Sequence, residues 1–437
     1  MLTCAFLLIV QQAGNASANT RNGRFIVTIT NNDQPAHASL PGPDTLAPPR
    51  EATFAEGRLA AAQTGAHSYV SPADSAVRQQ IEELGSANTR KRVAEQDPPQ
   101  SIVDTCRNDP RADGGKGHVF HRLWWCQEHG FTARATDTNG NLLGEASVNY
   151  VAIAWGSYTS RDILVELQKT TLGKPTGVFS DPDAVRFIIG ANCADTGTGN
   201  GCAVHYPTVN KTLTEWGNDQ EWHNWLITSD ESKSTSPDLV LRHRWNLSAS
   251  VEVPGGTGGP FPSPTPYHLI RCDSATYFAG RPKACINDEV LPYITYEINS
   301  APAISVHDVA VHIREAQDTP DLTFPPSPTP KRIPGKYIYE NPKDNGLRRI
   351  PEADEGPNRA VVRQACDQLR PIPSDEQCDE YPFASTMEGA ASPDWDFSAK
   401  AVNGRENTRA GGYLRWYVFW DRMLYRDMDS YYVNIID

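Results

Sequence analysis

Eight of the nine cysteines fall into close sequential pairs, and that spacing constrains this chain more than any other feature. The pairs are Cys106 with Cys126, Cys193 with Cys202, Cys272 with Cys285, and Cys366 with Cys378. An even set at short intervals reads as a disulfide framework, which belongs to an oxidising compartment. Many connectivities are formally open, so neighbour pairing is an expectation from loop length. Zinc is the competing use of cysteine, but no CxxC occurs. The ninth, Cys4, lies in the apolar run Leu2 to Val10. That run reads as a signal peptide over residues 1–18, cut after Ala16-Ser17-Ala18, and cleavage would remove the odd cysteine. Secretion to the extracellular space follows. No other apolar stretch approaches the roughly 18 residues of a membrane span.

At 437 residues the chain exceeds one ordinary core. The 34 prolines and 32 glycines suit loop-rich, β-rich architecture better than a helical bundle. Residues 19–104 carry few aromatics and read as a low-complexity leader or pro-segment, with one helical stretch at Ser75 to Leu84. From Cys106 the pattern changes. Phe131 to Trp155 reads as a hairpin turning at Asn139-Gly140, with Val151, Ile153 and Trp155 on one face. Leu239 to Val253 alternates strictly and predicts a long half-buried strand. With Ile163 to Leu167 and Val185 to Ile189, these predict an antiparallel β domain over 106–253. The Pro/Gly-rich stretch Pro254 to Pro266 reads as a linker or crossover loop, and 267–437 as a second domain. Within that domain Val306 to Ala316 has the spacing of a short amphipathic helix, and Pro325 to Pro334 reads as an extended loop.

The chemistry is concentrated near the C-terminus. Cys378-Asp379-Glu380-Tyr381-Pro382 is followed by Glu388-Gly389, so three carboxylates stand beside apolar side chains and a cysteine that fixes their strand. Phosphodiester hydrolysis needs an activated water, a cation on the phosphate oxygens and donors for the backbone. Carboxylates suit the first two roles with Mg²⁺ or Mn²⁺. A second block, Asn403 to Gly412, leads into a helix expected over Tyr413 to Arg426. There Asn407 reads either as an N-cap or, through its amide oxygen, as a metal ligand. Residues 401–426 carry five arginines against Glu406 and Asp421, and Lys331 to Arg349 adds six positives against Glu340 and Asp344. In a chain of net charge -13, such runs are where a DNA backbone would be gripped.

These blocks resemble the NucA/NucB family of extracellular deoxyribonucleases. Cys378 to Gly389 is similar to the family's Asp-Glu-aromatic-Pro block followed by Glu-Gly. Asn358-Arg359-Ala360 resembles its Asn-Arg-Ala element, and Asn407 to Gly411 its Asn-Arg-Gly-x-Gly turn. The order agrees over about residues 300–437. The expected fold is an α+β chain: the N-terminal antiparallel β-rich domain read from the alternation, followed by a C-terminal ββα-metal-like nuclease domain that the resemblance implies. The resemblance also implies a secreted, divalent-metal-dependent, non-specific DNA endonuclease in which aspartate replaces histidine as general base. Carried over, Asp379 is that base, Asn407 a metal ligand, and Glu380 and Glu388 are supporting site residues. Arg405, Arg409 and Arg415 are the expected substrate-binding side chains. The sequence departs from the pattern at Tyr417, where the family helix can carry an acidic ligand; Asp421 is the carboxylate one turn later. Thr408-Arg409 also replaces the family's Arg-Gly order.

Other patterns are weaker. His118, His121 and His129 around Trp124-Trp125 read as packing rather than a metal site, and Gly197 to Gly201 as a hairpin tip. The alternatives to a secreted nuclease are an exported antibacterial toxin restrained by an inhibitor protein, and a catalytically inactive surface-binding protein.

Overall fold

The computed structural model describes residues 25–31, 79, 97–195, 201–256, 263–338 and 345–437. The expected signal peptide lies outside them, as do all of the Ser75 to Leu84 helix except Gln79 and all of the Gly197 to Gly201 tip except Gly201. The architecture is mixed α/β, mostly strands with few helices.

In chain order the first strands are β1 (Ile26–Asn31), β2 (His118–His121), β3 (Trp124–Thr136), β4 (Leu142–Gly156) and β5 (Asp162–Leu172). They continue with β6 (Arg186–Asp195), β7 (Cys202–His205), β8 (Val209–Thr212), β9 (His223–Ser229) and β10 (Leu241–Glu252). Three more, β11 (Ser263–Pro264), β12 (His268–Asp273) and β13 (Ala284–Asn287), complete two sheets. One has the order β1-β3-β4-β5-β9-β7 with β2 on β3, and the other β13-β12-β10-β6-β8 with β11 on β10. All these pairings are antiparallel. Phe131, Tyr150, Ile163 and Trp225 of one sheet share a core with Phe187, Trp245, Leu247 and Ile270 of the other, so the sheets pack face to face. Val151, Ile153 and Trp155 do share a face, but it is the outer one. It packs on Ile102 and Val103 of helix α1 (Gln100–Asn108), which the Cys106–Cys126 disulfide bolts to β3.

Two expected boundaries shift. The segment read as a leader contributes β1, whose Val27 and Ile29 enter the core while the strand pairs along β3. Three alternate apolar residues suffice there because the sheet, not the segment, supplies the rest of the core. The Pro/Gly stretch after Val253 does not end the β unit. The chain returns along β10 through Ser263 and Pro264, and the sheet runs on to Asn287. That return explains why β10 is buried on both faces and not half-buried. Its outward Asn246 and Ser248 each meet the Asn192 amide, and Asn246 Nδ2 donates to Thr265 O at 3.1 Å.

The second unit follows β14 (Tyr293–Glu297) and contains helices α3 (His307–Asp318), α4 (Gly356–Gln368) and α5 (Gly404–Trp420); α2 (Leu213–Asn218) belongs to the first unit. β15 (Glu376–Tyr381) and β16 (Ser398–Asn403) form an antiparallel pair, and the last strand, β17 (Tyr432–Ile436), pairs parallel to β14. Ile294, Val309, Ile313, Tyr381, Val402, Ala410, Tyr417 and Val433 form its core. All four expected disulfides are bonded. No described helix is long and apolar enough to cross a membrane.

Buried charge joins the two units. Asp429, just before β17, accepts from Arg122 Nη1 at 2.7 Å and Nη2 at 3.0 Å, and from Arg271 Nη1. Burial pushes its carboxyl up, but the two guanidiniums outweigh that and hold it well below the usual carboxylate range. Arg422 pairs with Asp273 at 2.6 Å, both fully buried. Removing one partner would strand the other charge. Asp429→Ala should therefore cost about 3–5 kcal/mol, measured by denaturant titration. An unchanged midpoint would show that the cluster contributes nothing.

Candidate active site

Strand β15 carries the acidic block, and its two-residue period sorts the side chains. Gln377, Asp379 and Tyr381 point to one face; Cys378 and Glu380 point to the other. On the first face, α3 and α5 supply the partners. His312 Nδ1 of α3 donates to Asp379 Oδ2 at 2.8 Å, Gln317 Nε2 donates to Tyr381 Oη at 2.9 Å, and Asn407 Nδ2 of α5 donates to Gln377 Oε1 at 3.3 Å. On the second face the Cys366–Cys378 disulfide ties β15 to α4. Asp379 and Asn407 therefore address one face of the hairpin, with Gln377 between them.

The helix behind Asn407 begins earlier than the sequence predicts. Asn403 is its N-cap, accepting from Arg405 N and Glu406 N at 3.0 and 3.3 Å. Asn407 accordingly sits inside the first turn and does not cap it. Gly411 and Gly412, read as a turn, lie within the helix, and a Cβ at either would meet nothing within 4 Å. Gly404 has a stricter reason: a Cβ there would stand 3.1 Å from Gln377 Cγ and 3.2 Å from Asp375 O. The N-termini of α3 and α5 also cap each other. Glu406 Oε2 accepts from Asp308 N at 2.7 Å, while Asp308 Oδ2 accepts from Asn403 N at 3.0 Å.

The three carboxylates of the acidic block are not gathered. Asp379 is buried, with its side chain 10% exposed; His312 takes its Oδ2, and its Oδ1 accepts no hydrogen bond from the described residues. Glu380 lies across the strand. Burial, then the neighbouring Asp379 charge, push its carboxyl up to about 7, against a hydrogen bond from Ala384 N and the Arg359 charge. Glu388 takes Arg348 N and Nε at 2.7 Å each, and burial still raises its carboxyl. It lines a cavity of about 270 Å³ with Asn345, Arg348, Trp395, Asp427 and Ser430. The loop after Pro382 carries Glu388 to Arg348. Asn358 holds that loop, donating to Ala384 O and Thr386 O at 2.9 Å and accepting from Ala391 N. Its amide packs where a Cβ of Gly389 would be, 2.3 Å away, which explains Glu388-Gly389.

The basic runs are largely consumed by the fold. Lys331 is buried against Thr323 and Pro325 carbonyls, Lys336 pairs with Asp318, and the Arg349 guanidinium stacks 4.6 Å from the Tyr425 ring. Arg409 Nη1 donates to Ser305 O. Arg405 and Arg415 are exposed on α5. Tyr417 is buried in the core, and Asp421 caps α5 and faces His121 of the β unit at 3.2 Å, away from the hairpin. Among the described residues, no three His, Cys, Asp or Glu side chains gather closely enough to hold a metal ion. What the hairpin face offers is oxygen: the open Asp379 Oδ1 and the Asn407 amide oxygen. That donor set fits a cation that keeps most of its water, as Mg²⁺ does, and not a closed protein cage.

His312 and Ser398 escaped the sequence reading. Ser398 Oγ lies 2.8 Å from His312 Nε2, so the ring links the hairpin's two strands. His312 falls between Val309 and Ile313, where an apolar helix face disguises it.

The Glu380 environment yields a stability test. A raised value means the folded chain holds a proton that the unfolded chain releases between pH 4.5 and about 7, so stability is lost as pH rises through that window. Glu380→Gln cannot ionise. It should match the wild type near pH 4.5 and exceed it above about pH 7 in denaturant midpoint. A constant difference across the range would show that Glu380 ionises normally.

Comparison with known proteins finds no matching curated protein and no matching solved structure. The family model "Deoxyribonuclease NucA/NucB" matches residues 338–434, which include the hairpin, α4, α5 and most of β17. The C-terminal part of this chain thus carries a NucA/NucB-type deoxyribonuclease domain.

Proposed function

We propose that this protein is a secreted, divalent-metal-dependent DNA endonuclease without sequence specificity, acting through a ββα-metal type centre formed by β15, β16 and α5. The observation that carries the reading is the matched deoxyribonuclease segment, together with an open carboxylate oxygen on the hairpin face that Asn407 also addresses. Four disulfides support the secreted reading.

In this proposal Asp379 Oδ1 accepts a proton from water. The water oxygen bonds to phosphorus as the bond from phosphorus to the leaving sugar oxygen breaks. Asn407, beside Asp379, would hold Mg²⁺ or Mn²⁺ in part, and that cation when bound would neutralise charge on the phosphate oxygens. Arg405 and Arg415 meet the DNA backbone, and their contacts carry no base information. Arg409 orders the α5 start through Ser305 O and contributes its charge. Glu380 and Glu388 shape the two flanks and do not touch the reacting phosphate.

Plasmid nicking by the purified chain tests this. Cleavage should require Mg²⁺ or Mn²⁺ and stop with chelator, and Asp379→Ala should lower the rate about 10²–10⁴-fold in protein that circular dichroism shows to be folded. Cleavage that survives chelation overturns the metal, and full activity in the variant overturns the base. A chain that never cleaves DNA would be the surface-binding alternative.

A further inference from the structure

Helix α3 lies outside the segment that matches the deoxyribonuclease family, yet it grips the hairpin along one stripe. Asp308 accepts from Asn403 N, His312 bridges Asp379 and Ser398, and Glu315 takes Lys400 Nζ at 2.6 Å. Positions four and three residues apart share a helix face, so all three contacts come from one side of α3. The adjoining flank is anchored by Val309, Ala310, Ile313 and Ala316, all buried. The imidazole is wholly inaccessible, and its two nitrogens are both engaged at 2.8 Å.

Those partners assign the proton. An ionised Asp379 can only accept, so His312 Nδ1 carries hydrogen, and in the neutral ring Nε2 accepts from the Ser398 hydroxyl. Carboxylate, imidazole and hydroxyl in this order form the relay that activates a serine nucleophile elsewhere. Here Ser398 is 1% exposed and no phosphodiester can reach it, so the hydroxyl serves to orient the ring.

We infer that His312 is the positioning residue for Asp379. It occupies Oδ2, fixes the carboxylate plane and leaves Oδ1 as the oxygen presented to water, with Ser398 setting the ring's tautomer. The inference rests on the reading of Asp379 as the base. It also makes α3 part of the nuclease centre, although no motif in the matched segment points to it.

Two substitutions of similar size separate the ring's roles. His312→Asn keeps an amide donor near the place of Nδ1 and loses the reach to Ser398. His312→Gln keeps a donor near the place of Nε2 and loses the bond to Asp379. With full-length chain and duplex DNA, His312→Gln should lose about 10–100-fold in kcat with KM unchanged. His312→Asn should recover at least about fivefold of that loss on the same second-partner logic. The double variant of His312→Gln with Asp379→Ala should be no slower than Asp379→Ala alone. Circular dichroism melting of each variant confirms that the folded protein is assayed, and Ser398→Ala serves if a His312 variant does not fold, with a smaller kcat loss expected and an unchanged kcat counting against the inference. A His312→Gln variant as fast as His312→Asn, or as the wild type, while Asp379→Ala is inactive, overturns the positioning role alone. Full activity in Asp379→Ala overturns the base reading first and this inference with it.

Discussion

The structure turns on one carboxylate that two arginines share. Asp429 stands immediately before the last strand, and its ion pairs to Arg122 and Arg271 fix where β17 begins against the β unit. β17 pairs in parallel with β14 from Tyr293 to Glu297, and Ile294 and Val433 then enter the core that holds Val309, Ile313, Tyr381 and Tyr417. Through that core α3 is set, and with it His312 and Asp379. Buried ion pairs seldom add much net stability, since desolvation consumes most of the attraction. What this one supplies is register: a strand displaced by one residue would leave two buried guanidiniums with only the more distant Asp288 and Asp273, at 3.9 and 3.8 Å. The Arg281 guanidinium, 3.4 Å from the Trp420 ring, seals the same junction at the end of α5.

Adjacent carboxylates on a strand face opposite ways, and here the two environments drive them apart chemically. Asp379 receives a donor from a buried imidazole. Glu380 receives burial and the repulsion of Asp379 itself, which favour its neutral form and outweigh the one 3.4 Å contact from Ala384 N. Of the two, only Asp379 lies on the hairpin face, so the centre proposed there has one carboxylate of the pair and few protein donors.

Much of this was legible in the residues. The four disulfides, the β3–β4 hairpin, the β10 strand and helix α3 all follow from local spacing, where period and loop length act within a few residues of each other. What was not legible depends on distant partners. β1 has too few apolar residues to fold alone and becomes a strand because β3 offers an edge. The Pro/Gly stretch after Val253 resembles a linker until β11 pairs back on Ser248 and Ala249. The α5 start was hidden because two glycines looked like a turn, while Asn403, four residues ahead of Asn407, did the capping. Asp379 was identifiable from its motif; its neighbour His312 was not, because a histidine within an apolar helical stripe reads as core.

An acidic chain that acts on DNA must keep its attraction local. Most of the positive charge near the hairpin is already committed to the fold: Lys331 to carbonyls, Lys336 to Asp318, Arg348 to Glu388 and Asp427, Arg349 to an aromatic stack. The ion pairs among them are close to neutral at the distance of an approaching phosphate, whereas Lys331 and Arg349 keep their charge but are held in place by the fold, and screening over about 8–10 Å weakens their reach. Arg405 and Arg415 are different, being exposed on α5, the helix that also brings Asn407 to the hairpin. With few exposed cations, a phosphate would gain most by also meeting the cation proposed for the hairpin face. In that proposal recognition of the backbone and the reaction at phosphorus are coupled through α5, and the net charge of -13 disfavours DNA held elsewhere.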